Sequence, residues 1–271
     1  MTDLTTTNVA KWSSLRQPAP PDVPLPPGST YIYTPRGRAR EYAALAANLY
    51  DGCSHGCLYC YGPAARYKSR EDFHRAGTRG PGFLRLLERD AARFSRAEVT
   101  GQVLLCFSCD PYPPLDVEAH VTRGAIKILH RHGLSVQILT KGGARALRDI
   151  DLLGAGDAFA TTLTLLDDAE SLHWEPGAAP PSERILVLEA FHRAGVPTWV
   201  SLEPVIRPAD SLELIRRTAA FTDLYRVGKM NHYRLPWPVD WRQFALDAIA
   251  LLESLGKPYY LKADLAAYLE D

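Results

Sequence analysis

The sequence predicts an α/β protein with parallel strands curling toward a barrel, and three observations carry that prediction. Short apolar runs alternate with helix-like segments over most of the chain, a rhythm that implies parallel pairing with right-handed crossovers. No G-x-G-x-x-G follows the first strand, which weighs against a dinucleotide-binding sheet. Polar residues recur at the ends of the strand-like runs: Asn48, Ser108 to Asp110, Lys141, Thr162, Thr164, Glu203, Lys229, Asn231 and His232. Barrel chemistry sits at C-terminal strand ends, so such a ring is what a site at a barrel mouth needs. An open doubly wound sheet is the alternative architecture.

Residues 102–109 (QVLLCFSC) read as a buried strand and 134–140 (LSVQILT) as the next. Runs at 157–166, 196–203 and 223–230 continue the series, and 257–263 closes it. Helical patterns fall near 82–95, 118–132, 143–152, 182–194, 209–220 and 238–255. Gly133 and Gly195 each stand between a helical segment and a strand, where a helix-terminating glycine is expected. Residues 17–28 (QPAPPDVPLPPG) hold six prolines and read as an extended arm outside the main fold. The chain thus divides into an arm or linker over 1–40 and a barrel domain over 41–271 with a C-terminal helical segment.

At 271 residues and 46% hydrophobic content the chain can bury a core without staples. Basic and acidic residues balance at 31 each, so global charge selects no partner. Locally, nine basic residues (Arg66, Lys68, Arg70, Arg75, Arg79, Arg85, Arg89, Arg93, Arg96) face four acids (Glu71, Asp72, Glu88, Asp90), an excess of +5. That stretch suits either phosphate contact or a solvated helix face. The opening "MTDLTTTNVAKW" lacks the basic and apolar regions of a signal peptide. No apolar run approaches the roughly 20 residues that span a bilayer. A cytoplasmic setting follows, where thiols stay reduced. Five cysteines there are metal ligands, catalytic thiols or inert core residues rather than a disulfide framework.

Three of the five, Cys53, Cys57 and Cys60, lie in "CSHGCLYC" at C-x-x-x-C-x-x-C spacing. Three thiolates supply three corners of a metal centre. A structural zinc wants a fourth ligand: His55 is awkwardly close to both flanking cysteines, whereas Cys106 or Cys109 offers a remote one. A cluster of four irons normally takes four thiolates, so three local cysteines leave one iron open, which is a catalytic feature. On the residues alone, both metals stay open.

The loop "GCSHGCLYCYGP" resembles the cluster loop of radical S-adenosylmethionine (SAM) enzymes, including the aromatic before the last cysteine. The segments "NLYDGCSHGCLYCY", "CDPYPPLD", "LTKGGARALRDIDLL", "TTLT", "EPGAAPPSERILVLEAFHRAGVP" and "SLEPVI" follow in the order found in spore photoproduct lyase-like members of that superfamily, over roughly residues 33–230. The resemblance implies a partial (β/α)6 TIM-type barrel with the cluster loop at its C-terminal mouth. It implies one [4Fe–4S] cluster on Cys53, Cys57 and Cys60, with SAM on the open iron. Reductive cleavage of SAM would give methionine and a 5′-deoxyadenosyl radical that abstracts a substrate hydrogen. An external reductant such as flavodoxin or ferredoxin belongs to that chemistry. The most family-like substrate is a pyrimidine photodimer in DNA, a lyase reaction of DNA repair; a nucleotide or other small substrate is equally compatible.

The same resemblance distributes roles. Tyr59 and Tyr61 match tyrosines that shape the cofactor site, and Lys141 matches a lysine near the SAM carboxylate. Thr162 aligns with a serine that contacts SAM; alternation puts Thr164 on the same strand face. Ser108 joins the cofactor-binding set from its strand end. Glu203, in "SLEPVI", departs from the lyase, which has a small residue there, and resembles phage-associated relatives. It is expected to accept from the SAM ribose or amino group. Asp110 opens "DPYPP", and its carboxylate is expected to orient substrate or Lys141. Cys106 aligns, after a one-residue slip, with the lyase cysteine that returns a hydrogen atom to the product radical. In a regular strand Cys106 and Cys109 point to opposite faces, so at most one reaches the mouth. The catalytic candidates are therefore Cys106, Cys109 and Asp110. Plainer readings stand beside these: core aromatics, a snorkelling lysine, satisfied strand threonines and cysteines serving as small hydrophobes. Glu175 reads as a loop-shaping residue. Two other functions fit the same residues: SAM cleavage that transfers an aminocarboxypropyl group or acts on a small molecule, and a zinc or iron–sulfur nucleic-acid-binding module without turnover.

Overall fold

The computed structural model describes residues 15–270. Nine strands lie among them: β1 (Leu45–Ala46), β2 (Tyr50–Asp51), β3 (Gly77–Thr78), β4 (Gln102–Leu105), β5 (Ser135–Thr140), β6 (Ala158–Thr162), β7 (Thr198–Leu202), β8 (Leu224–Val227) and β9 (Tyr259–Leu261). Seven form one parallel sheet in the order β1-β4-β5-β6-β7-β8-β9, curled into a partial barrel. The register runs through Leu45↔Val103, Gln137↔Ala158 and Leu202↔Val227. β2 and β3 pair antiparallel beside the cysteine loop. The barrel architecture read from the alternation is correct, with one more strand than the six apolar runs suggested. β1 is two residues long, too short to show a period. The predicted strands stop short at their C-terminal ends, 102–109 at Leu105 and 157–166 at Thr162. Beyond the last ladder bond the chain turns across the barrel mouth, where residues stay apolar because loops cover them.

The helices follow from their apolar spacing. In Phe83–Arg96 the buried face is Phe83, Leu87, Ala91 and Phe94, one stripe at helical period. Pro181 and Pro208 occupy the first turns of Pro181–Arg193 and Pro208–Thr218, where a missing N–H costs nothing. Gly133 and Gly195 adopt φ of +76° and +79° after their helices, as a terminating glycine must. Phe191 stacks on Phe159 of β6 with centroids 3.7 Å apart, fastening helix to sheet. No helix among the described residues is long and apolar enough to cross a membrane.

The described part of the proline-rich arm straps the two edges of the sheet together. At one end Gln17 N–H donates to the Tyr259 carbonyl at 2.7 Å, and Tyr259 N–H donates to Leu15, on edge strand β9. At the other, Tyr33 pairs with Ala46 on edge strand β1. Between them the N–H groups of Thr30, Tyr31 and Ile32 converge on one oxygen of Asp90, at 2.7, 2.5 and 3.3 Å. Arg93 holds the other Asp90 oxygen at 2.6 Å. Prolines cannot donate to a ladder, so the strap covers open edges without offering a further edge of its own. Residues 1–14 of the predicted arm lie outside the described residues.

Asp90 is fully buried, so Asp90→Ala strands three N–H groups and one guanidinium. Denaturant unfolding should show a loss of about 2–4 kcal/mol, and limited proteolysis should cut the 17–30 segment faster than in the wild type.

Candidate active site

The cysteine loop is clamped from two sides. Gly52 has φ +83°, and a Cβ there would collide with the Phe73 carbonyl oxygen, which accepts from Cys53 N–H at 3.0 Å. On the same flank Arg70 donates to the Cys57 carbonyl and His74 Nδ1 meets the Cys53 carbonyl, each at 2.8 Å. On the opposite flank Leu58 N–H donates to Trp174 and Gly177 N–H to His55, at 2.9 and 2.8 Å. A Cβ on Gly177 would run into the Ser54 carbonyl. Within the loop, Cys60 N–H donates to Cys57 at 3.1 Å and Gly62 N–H to the Cys60 sulfur at 3.3 Å.

Cys53, Cys57 and Cys60 face a cavity of about 470 Å³ at the C-terminal ends of the strands. Cys106, Cys109, Tyr59, Tyr61, Ser108, Asp110, Lys141, Thr162 and Glu203 line it too, as do Lys229, Asn231 and His232. All five cysteines are free thiols. Burial pushes the three loop thiols up, Cys57 to about 11. No three His, Cys, Asp or Glu side chains among the described residues converge on one point as a single metal ion requires. Thiols spread around a loop, beside a cavity with room for more, suit a centre in which each binds a separate iron. His55 adds an open polar atom: its Nε2 is buried and has no protein partner. Burial lowers its pKa to about 4, so the ring is neutral beside Asp110, 3.6 Å away.

Lys141 and Tyr59 are held by Glu175, which is fully buried. Its Oε1 accepts from Tyr59 Oη and from Thr164 Oγ1, the latter at 2.9 Å, and lies 3.6 Å from Lys141 Nζ. Its Oε2 accepts from Arg184 at 2.5 Å and Ser171 at 3.4 Å. Arg184, also buried, spends its other donors on the Ala179 and Thr162 carbonyls, at 2.6 and 2.9 Å. Burial alone would raise the Glu175 pKa; the Arg184 guanidinium and Lys141 ammonium override it and hold the carboxyl at about 2. Lys141 is no snorkelling surface lysine: its ammonium lies 5.3 Å from the centroid of the Tyr59 ring and faces the cavity. The loop-shaping role expected of Glu175 is the one it plays.

Across the cavity Glu203 anchors a second network. Tyr42 Oη donates to its Oε2 at 2.5 Å, shares a 3.0 Å contact with Ser201, and lies beneath Lys262 Nζ, 4.1 Å from the ring centroid. Lys262 Nζ stands 3.3 Å from Glu203 and donates to the Arg38 carbonyl at 3.0 Å. Glu203 Oε1 has no hydrogen-bond donor among the described residues and packs where a Cβ on Gly228 would intrude.

Three expectations are corrected. Strand β4 ends at Leu105, so alternation no longer governs the next residues and both Cys106 and Cys109 face the cavity. Thr164 lies past the end of β6; its hydroxyl turns to Glu175 and does not line the cavity. Asn48 does not line it either. Its Oδ1 accepts from Phe107 and Ser108 N–H at 2.9 Å each, pinning the turn after β4. Asp110 reaches Lys141 through the backbone. Its oxygens accept from Lys141 N–H, Tyr112 N–H and Thr140 Oγ1, at 2.8, 2.8 and 2.6 Å, so it joins two strand ends. Tyr61 donates to the Phe107 carbonyl at 2.8 Å and leans toward His232 at the rim.

Sequence reasoning missed Lys262, Tyr42, Arg36, Arg38 and Arg184. Lys262 follows β9 just as Lys141 follows β5, so the strand-end rule applied once more, with the last run ended at Leu261, would have found it. The others carry no periodic signal. The basic stretch is mostly engaged locally: Lys68 pairs with Asp51, Arg75 with Glu71 and Asp72, Arg93 with Asp90. Arg70 and Arg79 donate to the Cys57 and Asn48 carbonyls and so brace the cysteine loop.

A model of the Radical SAM superfamily matches residues 47–222. An uncharacterized protein of Mycobacterium tuberculosis is 28% identical over 168 residues, 59% of this chain and 48% of that protein. An uncharacterized protein of Mycobacterium bovis matches to the same extent. The chain thus spans about half the length of the curated relatives it matches. Among solved structures, spore photoproduct lyase complexed with dinucleoside spore photoproduct gives a TM-score of 0.66 at 13% identity, covering 87% of this chain and 80% of that one. SuiB of Streptococcus suis bound to S-adenosylmethionine gives 0.59 at 12%, covering 83% and 48%. At such identities the likeness is one of fold.

Because Glu175 is ionised well below its ordinary 4.5, it stabilises the fold fully above that pH and ceases to as pH falls through about 2. Glu175→Gln should flatten the acid limb of the stability–pH curve by on the order of 3 kcal/mol between those values. Arg184→Met, which leaves the carboxylate with Lys141 as its remaining cation, should cost about 3–5 kcal/mol at neutral pH. Urea unfolding across pH checks both.

Proposed function

Because this chain belongs to the radical SAM superfamily, we propose that it holds a [4Fe–4S] cluster on Cys53, Cys57 and Cys60 and cleaves SAM reductively during a lyase or repair reaction on a nucleotide or nucleic acid. One observation carries the reading: three free thiols on a clamped loop share a cavity with Lys141, Tyr59, Thr162 and Glu203. Cys53, Cys57 and Cys60 would hold the cluster, which would supply the electron for reductive cleavage of SAM and so the radical chemistry of hydrogen abstraction from substrate.

The chain's own residues orient the reactants. Lys141, whose cationic form burial opposes and the Glu175 carboxylate sustains, binds the SAM carboxylate. Thr162, at the end of β6, and Ser108, just past the end of β4, offer hydroxyls. Glu203 offers its unused Oε1 to the SAM ribose or amino group, with Tyr42 and Lys262 fixing the other oxygen. Cys106 or Cys109 returns a hydrogen atom to the product radical; burial keeps the Cys106 thiol protonated, the form that has one to give. Arg36, Lys229 and His232 on the cavity wall favour a phosphate-bearing substrate over a neutral one. A flavodoxin- or ferredoxin-type partner delivers the electron.

Anaerobic reconstitution with iron and sulfide, reduction with dithionite and addition of SAM should give 5′-deoxyadenosine, which Cys57→Ala abolishes. Lys141→Ala should weaken SAM binding about tenfold to a hundredfold. 5′-Methylthioadenosine as the product would replace this reading with fragment transfer, and bound zinc without iron would overturn it. Affinity for irradiated DNA should fall steeply with salt; salt-insensitive binding would remove the nucleic acid from the proposal.

A further inference from the structure

Cys106 and Cys109 stand apart from the cysteine loop, at C-x-x-C spacing in "CFSC". Dithiols that cycle to a disulfide commonly use that spacing. Here the first cysteine follows β4 directly, and the chain bends through residues 107–109.

Separate observations bring the two sulfurs together. Both side chains are buried yet line the cavity, so a small reagent entering its mouth meets both. Neither is covalently bonded, and Cys106, besides being buried, has its thiol pushed up by the neighbouring Cys109. The turn carrying them is held from outside. Phe107 and Ser108, the residues between the cysteines, both donate their N–H to Asn48 Oδ1, and Tyr50 N–H donates to the Cys109 sulfur at 3.4 Å. Asn48 itself is fixed by its donation to Tyr33 Oη at 2.8 Å. Two cysteines at the ends of one pinned four-residue turn, lining the same cavity, have little chain entropy to lose on bonding.

We infer that Cys106 and Cys109 form a reversible dithiol/disulfide couple in the cavity wall, closed by small-molecule disulfides and reopened by dithiols. Cys109, whose sulfur accepts from Tyr50 N–H, attacks an external disulfide R–S–S–R as thiolate, forming a mixed disulfide and releasing one R–SH after protonation. The second cysteine then displaces the remaining R–S group, which leaves as a second R–SH. The protein loses two electrons and two hydrogens, both carried away on the two R–SH molecules; a dithiol reverses each step. The closed form has no S–H on this wall and therefore no hydrogen atom to return. That consequence rests on the proposed role of the cysteines in turnover, whereas the couple stands on geometry alone.

Trypsin releases residues 97–123 as one peptide holding both cysteines and no other. Reconstituted protein is incubated anaerobically with 2-hydroxyethyl disulfide, quenched in acid, alkylated with iodoacetamide and digested. The expected peptide is unalkylated and lighter by two hydrogens than the dithiol form, enriched at least about tenfold over untreated protein, and returned to the doubly alkylated form by dithiothreitol. In Cys106→Ser the same treatment should leave a mixed disulfide on Cys109. Two alkylated cysteines across the full range of oxidant, or two separate mixed disulfides with no internal bond, would overturn the inference. Iron content and 5′-deoxyadenosine are measured before oxidation, so failure of the cluster reading registers separately from failure of the couple.

Discussion

A single buried carboxylate organises the site. Glu175 has no access to solvent, and a charge in that position is tolerable only because Arg184, Lys141, Tyr59, Thr164 and Ser171 surround it. Each partner comes from a different piece of chain: the cysteine loop, the ends of β5 and β6, and the helices Asp168–Trp174 and Pro181–Arg193. The desolvation that makes the ion costly also makes its alternatives costlier, so those pieces are committed to one arrangement. The adjoining backbone extends the effect. Trp174 and Gly177 receive and donate bonds across the cysteine loop, while Ala179 N–H donates to the Lys141 carbonyl at 2.9 Å. The loop that presents three thiols and the lysine that faces them are positioned by the same anchor.

The opposite wall repeats the scheme in a looser form. Glu203 is paired through one oxygen with a tyrosine and a buried lysine, and its other oxygen packs against Gly228 with no hydrogen-bond donor among the described residues. The loop-side carboxylate is thereby fully engaged by the protein, and the far-side one only in part. Basic side chains besides Lys141 line the cavity, among them Arg36, Arg38, Lys229 and Lys262. The proline-rich strap explains how a partial barrel keeps this mouth in shape. It ties edge strand β1, which leads into the cysteine loop, to edge strand β9, which ends at Lys262. Closure that a complete barrel obtains from its own ladder is supplied here by a segment with few donors.

Residues close in sequence were legible and residues brought together by folding were not. The C-x-x-x-C-x-x-C loop, the apolar runs and the polar residue after each run are local patterns, and they located Cys53, Cys57, Cys60, Lys141, Thr162 and Glu203 on the cavity. The same local rule misled at Thr164 and at Cys106 with Cys109, because alternation holds only while a ladder enforces it, and β6 and β4 end at Thr162 and Leu105. Tyr42 and Arg184 were invisible for a different reason. Each acts through a partner well over a hundred or several residues away, with nothing in its neighbours to mark it.

By itself the sequence determined the parallel α/β architecture, the cysteine spacing of one loop and membership of a superfamily, since these depend on periodicity and short spacing. Tertiary structure alone decided how fully each carboxylate is engaged, that both remaining thiols line one cavity, and that the arm links the two sheet edges. Those outcomes turn on burial: the environment that fixes the ionisation of Glu175 and encloses Cys106 and Cys109 exists only once distant segments have excluded water from between them.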